Sequence, residues 1–310
     1  MSRMLLFPGQ GAQAVGMGVD LAEGLPACRG LFERASGILG LDLLKLCAEG
    51  PIEELTRSHN AQPAIFTVSV AARTALAHFA GGGFSAAGAA GHSLGEWAAL
   101  CEAGVVTFDD AVRVLQARGR FMQEACDAAP GGMLTILGLS LEQVREVAAA
   151  SGLEIANLNS PAQTVLSGHA DRLAAGEQAA KAAGAKRALR LAVAGAFHSS
   201  LMQPAADRLA EFLEGIEFRA PAIPVWSNVT GRPHTTPDEI RRRMVEQVVS
   251  GVRWTDCFTD MAAAGMDLAF ECGPGSVLAG LAKRIAPEVK VSHILDLAGA
   301  EEAAKLAAES

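Results

Sequence analysis

Residues 91–95 read Gly-His-Ser-Leu-Gly, inside the stretch "AGHSLGEWAAL". G-x-S-x-G is the pattern of a tight strand-to-helix turn that lifts a serine hydroxyl clear of a sheet. Such a turn requires a buried strand ending at Gly91 and a helix starting near Gly95, so it commits the chain to an α/β arrangement. A serine presented in that way can accept an acyl group, with water or a second molecule as the final acceptor. An ordinary Gly-Ser turn fits the same five residues, so the rest of the chain has to decide.

The 310 residues exceed one typical domain and fall short of three, which suits one large α/β domain or a domain carrying an insertion. Half the residues are apolar and 19% are charged, ample for a buried core. A net charge of −8 disfavours a protein that coats nucleic acid or an anionic membrane. Six scattered cysteines, with no C-x-x-C pair and no zinc-ligand spacing, suit reduced thiols in the cytoplasm. The apolar run Met4–Phe7 is far too short for a signal peptide, and no stretch reaches the ~20 apolar residues of a membrane helix.

"RMLLF" predicts a first buried strand, followed by the glycine-rich loop "PGQGAQ". That loop also satisfies a loose dinucleotide fingerprint (Gly9-x-Gly11-x-x-Ala14), but the next stretch looks helical and lacks the expected second strand. The alternative is a loop that aims a backbone N–H at the nucleophile. "AAGAA" before the elbow is poor strand material and is assigned as strand only because the elbow requires one. Residues 133–191 predict strand, helix, strand, strand, helix, strand, which is the βαββαβ, ferredoxin-like order. RNA-binding domains share that order, but the central strands here lack base-stacking aromatics. The large-domain pattern then resumes with "IPVWSNV" as a strand, a helix over "PDEIRRRMVEQVV", a strand in "DLAFECGPG" and a helix over "SVLAGLAKRI". "GAEEAAKLAAES" reads as a solvated helix or frayed end.

A serine nucleophile needs a base. His92 adjoins Ser93, but neighbours on a tight elbow point apart, and His59, His78, His169, His234 and His293 are expected in loops or on polar faces. His198 lies where the βαββαβ insert rejoins the large domain, a hinge at which a cleft would form. On a helical wheel Arg118 falls among Ala111, Val114, Leu115, Phe121 and Met122, opposite Arg113 and Arg120. An arginine on an apolar stripe must find an anion, either an internal carboxylate or one brought by the substrate.

The segments "FPGQGAQ", "GHSLGEWAAL", "ARGRFMQEA", "NLNSPAQ", "GAFHSSLM", "VRWT" and "ECGPGSVLAGLAKRI" occur in this order. Together they resemble the malonyl-CoA:acyl carrier protein transacylases of type II fatty acid synthesis, over nearly the whole chain. The resemblance implies an α/β-hydrolase-like core (residues 1–129 and 197–310) with an inserted ferredoxin-like subdomain (130–196). It implies Ser93 as nucleophile, His198 as base and Arg118 on the malonyl carboxylate. Backbone N–H groups of Gln10 and Leu94 would form the oxyanion hole, and the Gln247 carbonyl would orient the histidine. Asn159 and Phe197 would border the substrate. Phe197 precedes the histidine as in malonyl-selective polyketide acyltransferases, whereas Trp97 stands where the family commonly has Tyr and Ser276 where it often has a basic residue. The implied partners are malonyl-CoA, as substrate, and an acyl carrier protein, with no permanently bound cofactor, no metal and a monomeric, cytoplasmic enzyme. For carrier docking, Lys186, Arg187 and Arg190 or Lys283 and Arg284 are the candidate basic patches. A serine hydrolase and a non-catalytic carrier-binding subunit are the rival readings.

Overall fold

A computed structural model describes residues 2–309. The first strand, β1 (Ser2–Phe7), is followed by helices α1 (Val19–Gly24), α2 (Pro26–Leu39), α3 (Leu43–Glu49), α4 (Ile52–Thr56) and α5 (Ser58–Phe79). Next come β2 (Gly88–Gly91), α6 (Gly95–Glu102) and α7 (Phe108–Ala128). The middle of the chain forms β3 (Gly131–Leu137), α8 (Leu141–Ser151), β4 (Glu154–Ser160), β5 (Gln163–His169), α9 (Leu173–Ala182) and β6 (Arg187–Arg190). The remainder supplies α10 (Gln203–Leu213), β7 (Val225–Trp226), α11 (Pro237–Glu246), α12 (Trp254–Ala263), β8 (Met266–Cys272), α13 (Val277–Ile285), β9 (Lys290–Ile294) and α14 (Leu297–Glu309).

These elements build two sheets. One is parallel, in the order β7-β2-β1-β8-β9, and the other is antiparallel, in the order β4-β5-β3-β6. Alternation along β1 sends Leu5 and Phe7 into the core beneath α2, α5 and α7, and Met4 and Leu6 into a second core against α12 and α13. A strand covered on both faces explains the unbroken apolar run in its sequence. The antiparallel sheet has its own core under α8 and α9, built on Leu134, Ile136, Leu166 and Val144. Its edge strand β4 is tied to the large sheet's side of the molecule by Leu158 N–H to the Val252 carbonyl and Val252 N–H to the Ala156 carbonyl, both 2.8 Å.

The alanine- and glycine-rich segment is a strand for a packing reason. A Cβ on Gly88 would lie 2.7 Å from the Trp226 ring, and Ala89 and Ala90 are fully buried on opposite faces. Two sequence expectations require correction, and one strand was not anticipated. The strand expected over "IPVWSNV" is only two residues long, because the chain turns away at Ser227, whose N–H meets the Arg232 carbonyl. The C-terminal helix is neither solvated nor frayed: Ala300, Ala303, Ala304 and Ala307 form a buried stripe packed against α5 and β9. β9, with four of its five side chains partly or fully exposed, is an edge strand with no apolar alternation to announce it.

Candidate active site

β1 and β2 pair in register from Met4↔Gly88 to Phe7↔Gly91, so the loop after β1 and the elbow after β2 emerge side by side. Ser93 sits at φ +50°, the left-handed region that costs a non-glycine residue about 1–3 kcal/mol unless its surroundings hold it there. Several contacts hold it. A Cβ on Gly91 would fall 1.9 Å from the Gly95 carbonyl carbon, and one on Gly95 would fall 2.2 Å from the Phe7 oxygen. Glycine at both ends is therefore what allows the turn to close. Asn228 clamps it, accepting from Ser93 N–H (2.7 Å) and donating to the Gly91 carbonyl (2.8 Å).

His198 also has a positive φ, +57°, and is 5% exposed. Its Nδ1 lies 2.8 Å from the Gln247 carbonyl and its Nε2 lies 2.8 Å from Ser93 Oγ. A carbonyl can only accept, so Nδ1 carries the proton and the Nε2 lone pair faces the serine hydroxyl. Burial first, and the nearby Arg118 charge second, push the imidazole down to about 3, so it is neutral at physiological pH.

Arg118 is 1% exposed. Its guanidinium donates to Gln62 Oε1 (2.7 Å), Gln247 Oε1 (3.0 Å) and Ser93 Oγ (3.2 Å), and its Nε has no partner. No carboxylate among the described residues forms an ion pair with it. Burial lowers its pKa to about 10, against the supporting charge of Glu96, which leaves it cationic at neutral pH. It reaches the serine because α7 lies directly on α5: a Cβ on Gly119 would be 2.3 Å from the Ser58 carbonyl oxygen.

Behind the elbow lies a polar cluster drawn from residues far apart in sequence. Glu96, 1% exposed, accepts from Gln247 Nε2 (2.6 Å) and Asn228 N–H (3.1 Å), and its other oxygen meets His234 Nε2 at 2.7 Å. His234 was expected on a polar face and is instead fully buried between Glu96 and Glu239. Burial pulls its pKa down, but the two carboxylates outweigh that and raise it. Gln247 Nε2 also donates to the Ser93 carbonyl at 3.0 Å, so this amide links Arg118, the elbow and Glu96.

The site opens into a cavity of about 360 Å³ between the two sheets, bordered by Gln10, His92, Ser93, Arg118, Asn159, Phe197 and His198, with Val277, Leu278 and Leu281 of α13 along its wall. His92 Nε2 and Asn159 Oδ1 meet at 2.9 Å across the cleft. Gln10 follows β1, its side chain on Ser58 Oγ at 3.2 Å. Leu94 adjoins Ser93 at the start of α6, and its side chain belongs to the core and does not line the cavity. Gln62, Glu96, Asn228 and His234 were not singled out from sequence. Only Glu96, three residues after Ser93 and therefore one helical turn beneath it, carried a usable spacing. Among the described residues no group of histidine, cysteine or acidic side chains could hold a metal ion. Among the same residues no helix is long and apolar enough to cross a membrane.

The acyl transferase domain family matches residues 4–300. The malonyl CoA-acyl carrier protein transacylase of Escherichia coli is 44% identical over 293 residues, covering 93% of this chain and 94% of that one. An acyl carrier protein S-malonyltransferase of Vibrio cholerae superposes with a TM-score of 0.93 at 40% identity over the full length of both chains. A malonyl-transacylase solved in complex with a type II polyketide acyl-carrier protein superposes equally well, TM-score 0.93, at 40% identity over 99% of this chain and 100% of the other.

Proposed function

The chain belongs to the acyl transferase domain family, among the malonyl-CoA–acyl carrier protein transacylases, and from that premise we propose that it transfers malonyl groups through a Ser93 ester in a ping-pong cycle. His198 Nε2 takes the Ser93 proton as Oγ attacks the malonyl thioester carbonyl. The oxyanion is held by the backbone N–H groups of Gln10 and Leu94. The C–S bond breaks, and coenzyme A leaves with the proton from His198. The phosphopantetheine thiol of a carrier protein then gives its proton to His198 and attacks the ester carbonyl; the Oγ–acyl bond breaks, and His198 passes the proton to Ser93 Oγ. No third carboxylate is needed, because the Gln247 carbonyl fixes the tautomer.

The observation that carries this reading is Arg118. A buried guanidinium with no protein carboxylate, one hydrogen bond from the nucleophilic oxygen, is a site awaiting an anion on the acyl group. Malonate supplies one. The strand order β4-β5-β3-β6 supports a ferredoxin-like subdomain over 130–196, set into an α/β-hydrolase-like core of 1–129 and 197–310. The enzyme is proposed to be a monomer, and six unpaired thiols suit a cytoplasmic setting.

For the carrier, the α13 pair Lys283 and Arg284 is favoured. Arg284 donates to Gln163 at the cavity border, whereas Arg190 is already engaged by Glu177. The test combines enzyme, malonyl-CoA and carrier protein, following thioester transfer and free malonate. Malonyl carrier should form with little malonate, and both Ser93→Ala and His198→Ala should abolish it while remaining folded. Malonate as the main product would make the protein a hydrolase.

A further inference from the structure

Cation, nucleophile and base share one oxygen. Arg118 donates to Ser93 Oγ at 3.2 Å, while the Ser93 hydroxyl donates to His198 Nε2 at 2.8 Å. All three side chains are buried, so water screens them little. Whenever His198 accepts the serine proton, an imidazolium appears one oxygen away from a guanidinium. Like charges at that range oppose each other strongly.

Among the described residues the one charge that offsets Arg118 is Glu96, and it acts from behind an intervening amide. His92 faces the same side, its pKa lowered by burial, and is bonded to Asn159. From α5 comes only the neutral Gln62 amide, and from the segment around α11 the carbonyls of Gln247 and Ser250. The nearest carboxylate, Glu96, stands behind the Gln247 amide and is shared with His234, which has Glu239 on its far side. Among the described residues the site thus holds a cation next to its base and no anion in contact with either.

We propose that the carboxylate of the acyl group is the missing counter-ion of the catalytic base: seated on Arg118, it neutralises the charge that opposes imidazolium formation, so the enzyme selects malonyl over uncharged acyl groups in the chemical step as well as in binding. This rests on the reading of Arg118 as the malonyl carboxylate site. The depressed affinity of His198 for protons accords with it, burial being the larger cause and Arg118 the next. An acetyl thioester that binds still leaves the guanidinium unneutralised, and its acylation is slow even at saturation. The same charge that attracts the correct substrate therefore restrains the base against the wrong one.

The experiment is single-turnover acylation of Ser93 at saturating donor, followed by quenched-flow mass spectrometry. The donors are malonyl-CoA, its methyl half-ester (the same chain without the charge) and acetyl-CoA. Expected is a maximal rate for the half-ester and for acetyl at least about tenfold below malonyl, the equivalent of one pH unit at the base. In Arg118→Ala and in the bulkier, uncharged Arg118→Gln, the maximal acetyl rate should rise and the malonyl rate should fall. Equal maximal rates for all three donors in the wild type, differing only in half-saturating concentration, would overturn the inference. So would a fall in acetyl rate in both variants. The wild-type comparison decides alone if neither variant folds. If malonyl half-saturation proves indifferent to Arg118, the carboxylate-site reading itself fails and takes the inference with it.

Discussion

Gly119→Ala changes no atom that meets a substrate, yet it should cripple malonyl transfer. Gly119 follows Arg118 on α7 and lies against the start of α5. An added Cβ would stand 2.3 Å from the Ser58 carbonyl oxygen and 2.6 Å from His59 Cα, all of it backbone. That is about 1 Å short of an ordinary contact, and backbone cannot swing aside as a side chain can, so the helices must separate. Overpacking of this kind costs about 1–3 kcal/mol, or on the order of 2–5 °C in Tm for a chain of 310 residues. The separation also draws Arg118 from Gln62, which sits on α5 and takes its 2.7 Å hydrogen bond. A misplacement of about 1 Å can cost a hundredfold in rate. The assay pairs thermal unfolding with malonyl kcat/KM. Gly30→Ala on α2, where a Cβ meets nothing within 4 Å, serves as control and should be neutral or up to about 1 kcal/mol stabilising. A Gly119→Ala protein with wild-type Tm and wild-type malonyl kcat/KM would refute the argument that this contact positions Arg118.

Arg118→Ala should lose malonyl kcat/KM by roughly 30- to several-thousand-fold, the 2–5 kcal/mol of a broken buried charge pair; equal losses with acetyl-CoA would mean a structural role. Glu271 is fully buried, accepting from the N–H groups of Leu278 and Ala279, and burial lifts its pKa to about 7 against those donors. Because the folded carboxyl holds its proton more tightly than the unfolded one, its stabilising contribution is complete below pH 4.5 and is lost as pH rises through 7. Relative to Glu271→Gln, the wild type should therefore lose about 3 kcal/mol between pH 4.5 and 8 in denaturant unfolding; a constant difference would contradict this. Reversing Lys283 and Arg284 to Glu should raise the KM for carrier protein and flatten its salt dependence, with malonyl-CoA kinetics unchanged. An unaltered carrier KM would move docking elsewhere.

What sequence could and could not reveal follows from the range of each contact. The elbow is local, and its two glycines mark it because nothing larger fits against Gly95 and Phe7. Arg118 was legible because its neighbours three and four residues away are apolar, and the same residues are buried around it in α7. The strand at 88–91 runs against propensity because its small residues are demanded by the Trp226 ring, far along the chain, and by α6, which turns straight back against Gly91. The alanine stripe of α14 looked solvated because alanine is nearly neutral in hydropathy, and only the facing helix α5 makes it a core. His234 was assigned to solvent because its partner Glu96 is 138 residues away. No window of the chain contains both.

The central claim is that Ser93 carries the malonyl group between two thiols. The most direct measurement is to mix the enzyme with malonyl-CoA and no acceptor, remove small molecules, map the modified residue by peptide mass spectrometry, and then add carrier protein. The account predicts a malonyl ester on Ser93 that persists against water and passes quantitatively to the carrier thiol. A protein that forms malonyl carrier at full rate with no ester on Ser93, or whose ester water removes before the carrier can, would contradict it.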